Sequence, residues 1–183
     1  MRKIFIDCGA NLGLVLADFI RKLPEHEFYA FEPNPDLLAS IRGEVARTGH
    51  AHVTVFDQAV WTHNGTADLY LGHHESSTLL LGKRVPPMYD QQIDYMRPVR
   101  VPCIDFSAWL ADETRPGDEV TVKMDIEGAE YPVLRKMIDD GTLELVSVLY
   151  VEWHYNRFPD MPLQDHEELV AAVSRTVEVR PWD

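Results

Sequence analysis

The chain is poor in cysteine and in basic residues. Its two cysteines, Cys8 and Cys103, form no spaced framework, which argues against a disulfide-stapled scaffold and for a reducing compartment. Lys and Arg number 17 against 30 Asp and Glu, a net charge of -13. A partner bound by phosphate neutralisation needs clustered Lys and Arg, so no nucleic acid is expected. Long hydrophobic runs are missing as well. The apolar stretch behind Arg2 and Lys3 is broken by Asp7 and Asn11, so it encodes neither a signal peptide nor a spanning helix. A cytoplasmic protein without a membrane partner is expected. No internal repeat or low-complexity tract is found. What is present is the balance of a folded globular chain, 45% hydrophobic and 26% charged over 183 residues, enough for a single domain over 1–183.

Periodicity gives the order of elements. An apolar run at 3–8 ends in an acid and a glycine, and Leu12, Val15, Leu16 and Phe19 follow at helical spacing. Pro24 closes that helix, 28–31 resumes a strand, and Asn34-Pro35 precedes a second helix carrying Leu37, Leu38, Ile41 and Val45. Further strands are expected at 52–56, 66–71, 100–104, 120–124 and 146–151, with helices from 106 and over 131–138. A last helix at 165–173 and a strand at 176–179 follow. Residues 72–96 carry little periodicity and read as a lid or insertion. The alternation implies an α/β fold, a mostly parallel sheet flanked by helices on both faces, with ligands beyond the carboxyl ends of the strands.

Those strand ends hold the chemistry. The first reads Asp7-Cys8-Gly9-Ala10-Asn11-Leu12-Gly13, with glycines where a strand turns sharply into a helix and a ligand can approach the backbone. Glu32, at the end of the second strand, is placed to accept hydrogen bonds from the ribose hydroxyls of an adenosine. G-A-N-L-G lacks the G-x-G-x-x-G spacing of a pyrophosphate cradle, and an acid precedes it, which disfavours NAD. At the fourth expected parallel strand, Asp125, Glu127 and Glu130 put three carboxylates within six residues around Gly128. Glu130 is expected only to offset a helix macrodipole.

Four segments in order, D-C-G-A-N-L-G, F-E-P-N-P, D-Q-A-V-W and V-K-M-D-I-E-G-A-E-Y-P-V-L, resemble the FkbM family of methyltransferases over about residues 3–154. The resemblance implies a class I (Rossmann-like) methyltransferase fold, S-adenosylmethionine as cofactor, and O-methylation of a hydroxyl on a sugar, glycan or glycosylated small molecule. By matching motif it implies Asp7, Gly9 and Asn11 at the methionine end, Glu32 at the ribose, Asp57, Gln58 and Ala59 beside the adenine, and Asp125 facing the methyl group. Ser76-Ser77 resembles a serine pair of the family, a candidate cofactor or lid contact. The chain departs from the family pattern at both ends, and the usual last antiparallel strand is expected to be missing, which would leave an edge open to homodimerisation.

A hydroxyl acceptor needs a base. His154, Asp125 and Glu127 are the candidates, with His154 first because it ionises near neutral pH and Glu152, two residues earlier on the same strand face, is placed to orient it. A metal site would draw on His73 and His74 with Asp125, Glu127 and His154. Their spacing matches no ligand motif and adjacent histidines on an extended segment point apart, so no metal is expected. Tyr89, Tyr95, Trp153 and Tyr155 are candidates for a sugar-stacking surface. N-methylation of another acceptor and a non-catalytic cofactor-binding subunit are the alternatives, although no N-P-P-Y-like or D-P-P-Y-like segment occurs.

Overall fold

The first strand alternates its side chains between two apolar surroundings, as burial on both sheet faces requires. Ile4, Ile6 and Cys8 enter one core and Phe5 the other. The computed structural model describes every residue except Glu75, Tyr89, Asp90 and Asp183. In chain order the elements are β1 (Lys3–Cys8), α1 (Leu14–Lys22), β2 (Glu27–Phe31), α2 (Leu38–Thr48), β3 (Val53–Phe56), β4 (Ala59–Trp61) and β5 (Gly65–Leu69). Then come β6 (Val99–Asp105), α3 (Phe106–Glu113), β7 (Glu119–Met124), α4 (Glu130–Asp139), β8 (Val148–Val151), α5 (Leu163–Thr176) and β9 (Glu178–Pro181).

The main sheet runs β3-β2-β1-β7-β8-β9, and all five pairings are parallel. Leu16 and Ile20 of α1 and Ile41 of α2 cover Phe5, Phe28 and Ala30 on one face. Phe106 and Leu110 of α3, Leu134 and Met137 of α4, and Leu169 and Val173 of α5 bury the other. Each such apolar side chain contributes about 1.5 to 3 kcal/mol on burial. The strand order reverses between β1 and β7, which puts the switch-point crevice at the carboxyl ends of those two strands.

A second sheet, β4-β6-β5, holds a small core of Ala59, Leu69, Val101 and Cys103. Here β5 pairs antiparallel with β6, across the long segment, and β4 pairs parallel with it. The edge strand β9 carries Glu178 and Arg180, hydrogen-bonded to each other at 2.8 Å. Charges of this kind on an edge oppose strand-to-strand association. No helix among the described residues is long and apolar enough to cross a membrane.

The segment between β5 and β6 turns back over the strand ends. Tyr70 and Thr78 form an antiparallel bridge. The Thr78 hydroxyl donates to the Glu127 carbonyl at 2.7 Å, and Lys83 on the same segment is buried.

Candidate active site

Gly9, Asn11 and Gly13 stand at φ 88°, 51° and 82°. The G-A-N-L-G spacing thus places every second residue in the left-handed region that glycine and asparagine tolerate. The N–H groups of Gly9 and Ala10 both donate to the Phe31 carbonyl at 3.0 Å. A Cβ at Gly9 would lie 2.0 Å from the Asp125 carbonyl oxygen, so no other residue fits where β1 and β7 meet.

This turn builds a cradle around Glu32. Its Oε2 accepts the Asn11 N–H at 2.9 Å and its Oε1 the Asn34 N–H at 2.8 Å. Burial pushes the Glu32 carboxyl up to about 7, even though both backbone donors favour the charged form. Asn11 Nδ2 donates to the His74 carbonyl at 3.3 Å, while Asn11 Oδ1 is buried without a hydrogen-bond partner among the described residues.

Asp7 does not reach the ligand side. It is 0% exposed and sits 3.3 Å from Lys123 Nζ. Asp7 and Lys123 are register partners on β1 and β7, so their side chains share a face and meet. Lys123 also donates to the Gly9 carbonyl at 2.9 Å and lies 3.2 Å from Asp125 Oδ2. Burial opposes its charge, but Asp7 and Asp125 outweigh that and raise its pKa. Asp7 therefore supports the turn through Lys123, in place of the expected contact with a ligand ammonium.

Past β7 and β8 the carboxylates are clamped. Glu130 is fully buried, and its oxygens accept the N–H groups of Ile126 at 2.7 Å and Gly128 at 2.8 Å. It also bonds His154 Nδ1 at 3.1 Å. The expectation that Glu130 only offsets a macrodipole is too small: it caps the turn into α4 and orients the histidine. That orienting role was expected of Glu152, but Glu152 Oε1 is 3.7 Å from Nε2, beyond hydrogen-bond reach. His154 Nε2 faces Glu127 Oε2 at 3.0 Å and Asp125 Oδ1 at 3.9 Å. Burial works against the charged imidazole, but the hydrogen bonds and charges of Glu127 and Glu130 override it and push its pKa up to about 10. His154 is an imidazolium at neutral pH.

Glu127 has a left-handed backbone, φ 59°, at a cost of about 1 to 3 kcal/mol for a non-glycine residue. Its carboxylate is also paired with Lys83. Burial would raise the Glu127 pKa; His154 and Lys83 hold it below the usual value. Glu152 differs. Its side chain is 45% exposed and makes no hydrogen bond among the described residues. Burial, then the charge of Asp125, pushes its carboxyl up.

Two adjoining cavities open on these groups. The larger, of about 290 Å³, is lined by Asn11, Lys83, Asp125, Glu127, Glu152, His154 and Arg157 among others. Glu32, Ala59, Val60, Leu79 and Ile126 line the second, and Gly9, Asn11, His74, Asp125 and Glu127 belong to both. Ala59 thus reaches the site, whereas Asp57 is exposed and neither Asp57 nor Gln58 lines either of these two cavities. Ser76 faces the larger cavity and Ser77 the smaller.

Among the described residues the expected aromatic surface lines neither cavity. Tyr155 stacks on His166, Trp153 packs against Tyr131, and Tyr95 donates to the Lys83 carbonyl at 3.0 Å. Tyr89 lies outside the described residues. Asp125, Glu130 and His154 bring ligand-type atoms within 4.8 Å of one another. Without an ion, Glu130 is engaged with the Ile126 and Gly128 N–H groups and with His154. Lys83, Lys123 and Arg157 were not singled out from sequence. Only Lys123 had a signal, its place in V-K-M-D beside the first strand end.

The profile of the methyltransferase FkbM domain matches residues 7–176. The chain belongs to the FkbM methyltransferase family. Its parallel sheet, with helices on both faces, is the Rossmann-like class I methyltransferase fold. Among solved structures it is similar to a precorrin-6y C5,15-methyltransferase from Geobacter metallireducens GS-15, at 12% identity and a TM-score of 0.41. The similarity covers 96% of this chain and 63% of that one, so the chain spans less than two thirds of that protein's length. No curated protein matches. In this FkbM domain the first two motifs form the Asn11–Glu32 cradle, the third contains β4, and the fourth runs from β7 into α4.

Proposed function

We propose that this domain transfers a methyl group from S-adenosylmethionine to a hydroxyl of a sugar or glycosylated small molecule, without a metal. The observation that carries this reading is the meeting of two sites at Asn11 and Asp125. One is a carboxylate cradle suited to an adenosine; the other is a cavity holding an unbonded carboxylate, Glu152. The residues present fit the cofactor. Glu32 would accept the ribose hydroxyls, and the orphaned Asn11 Oδ1 supplies an acceptor for an ammonium group. Ala59, Val60, Leu79 and Ile126 give apolar walls for the adenine. Bound there, the cofactor supplies an electrophilic methyl group on a sulfonium.

The chain's own work is to hold the acceptor in line and take its proton. His154, the first candidate base, is already protonated at neutral pH, and Glu127 is neutralised by Lys83 and His154. Asp125 lies against Lys123. Glu152 is left as the base, with a raised pKa and an open face on the cavity. The sugar acceptor is supported by the family resemblance.

Incubation with labelled S-adenosylmethionine and a panel of nucleotide sugars, glycosides and small peptides, read by mass, tests the reading. A methylated glycoside is expected. Product on peptides alone would move the activity to N-methylation, and cofactor binding with no product on any probe would favour a non-catalytic subunit. On the productive acceptor, Glu152→Gln should lower kcat by about 10² or more and leave cofactor affinity by calorimetry unchanged. Wild-type kcat would remove Glu152 as the base.

A further inference from the structure

Four cationic side chains line the larger cavity, and three of them have counter-charges. Lys123 has Asp7 and Asp125, Lys83 has Glu127, and His154 has Glu127 and Glu130. The fourth is Arg157. Its guanidinium makes no ion pair or hydrogen bond among the described residues, in a chain where acids outnumber bases 30 to 17. Its backbone is fixed from both sides: the Arg157 N–H donates to the His154 carbonyl at 2.9 Å, and its carbonyl accepts the Arg84 N–H at 2.7 Å. A half-buried guanidinium held on a fixed backbone, with its fork unused, matches a planar anion.

We propose that the methyl acceptor carries an anionic group, a carboxylate or a phosphate, and that Arg157 binds it. This rests on the cofactor and acceptor reading above. The cofactor's own carboxylate has another place to go. Helix α1 begins at Gly13 with no side-chain cap, which leaves its first-turn amides open to an anion, and Leu12 and Leu14 line the same cavity. That helix follows β1, whereas Arg157 follows β8, and β7 lies between them, so the two backbones stand about 10 Å apart, two strand spacings. The cofactor-affinity arm of the test below separates the two anion positions. Arg157 stands on the Glu152 side, where the acceptor hydroxyl must be for its proton to be removed. The cavity takes the methionine arm as well as the acceptor, so the anionic group belongs on or next to the ring that bears the reacting hydroxyl.

Calorimetric titrations of D-glucuronate, glucose 6-phosphate and methyl glucoside into the protein, with and without saturating S-adenosylhomocysteine, test this. At least one of the two anions should bind, and which one distinguishes carboxylate from phosphate. The neutral glucoside should bind about tenfold more weakly or worse. Arg157→Ala should erase that preference, Arg157→Lys should restore part of it, and S-adenosylhomocysteine affinity should stay as in the wild type. Equal binding of the neutral sugar, no binding of either anion, or unchanged anion affinity in Arg157→Ala would overturn the proposal. A parallel loss of S-adenosylhomocysteine affinity would also overturn it, by assigning Arg157 to the cofactor's carboxylate. Failure of the wild type to bind S-adenosylhomocysteine would sink the cofactor reading instead, and the titrations without it would still decide Arg157.

Discussion

Both ring nitrogens of His154 are committed, Nδ1 to Glu130 and Nε2 to Glu127, and the ring is buried. Removing the imidazolium leaves Glu130, at 0% exposure, without a cation among the described residues and Glu127 with Lys83 alone, which costs about 3 to 5 kcal/mol for a buried pair. His154→Gln should accordingly lower Tm by roughly 10 °C for a chain of this length, by calorimetric scanning; an unchanged Tm would refute the clamp. Its pH dependence follows by linkage. With a pKa of about 10 when folded and about 6.5 when unfolded, the His154 contribution is complete below about pH 6.5 and is lost as pH rises through 10. Urea midpoints between pH 7 and 10 should fall more steeply for the wild type than for His154→Gln. Glu32 is the opposite case, a carboxyl raised to about 7 by burial. Hydroxyl donors bind its ionised form, so the bound cofactor lowers that pKa and binding releases a proton. S-adenosylhomocysteine affinity should rise with pH up to about 7 and then level off. A flat profile, or one unaltered in Glu32→Ala, would remove Glu32 from the ribose.

At the scale of elements, the segment from 70 to 98 becomes part of the site through a few anchors. These are the Tyr70–Thr78 bridge, the Thr78 hydroxyl on the Glu127 carbonyl, and Lys83 on Glu127. Lys83→Met removes one anchor and leaves the sheets alone. Hydrogen exchange at the Thr78 and Arg84 amides should then speed up while β1 and β7 amides stay protected; unchanged exchange would mean the segment is held without Lys83. None of this was legible in the sequence, because isolated polar anchors in an aperiodic stretch leave no pattern. β1, β2 and β7 were legible to within about a residue, since strands buried on both faces read as apolar runs ending in an acid. β4 escaped notice at three residues, too short for any period. The strand end was readable as a place; what Asp7 does there was not, because its pairing with Lys123 depends on which strand lies beside β1.

For the whole molecule, the charge of -13 is unevenly matched by cations. The site's pairs are largely buried: Lys123, Lys83 and His154 side chains are each at most 5% exposed. Excess negative charge is therefore carried mainly by the outer surface, where exposed pairs such as Lys3–Glu25 contribute little. Self-repulsion among those acids destabilises the compact state and is screened once the Debye length falls to about 10 Å near 0.1 M salt. Buried pairs are screened far less. Added NaCl should consequently raise Tm, with most of the rise complete by roughly 0.2 M. Because His154→Gln alters only a buried pair, its Tm deficit should persist in salt. A wild-type Tm that falls with salt would mean attractive surface pairs outweigh the net charge. A deficit that vanishes would mean the His154 clamp is open to solvent.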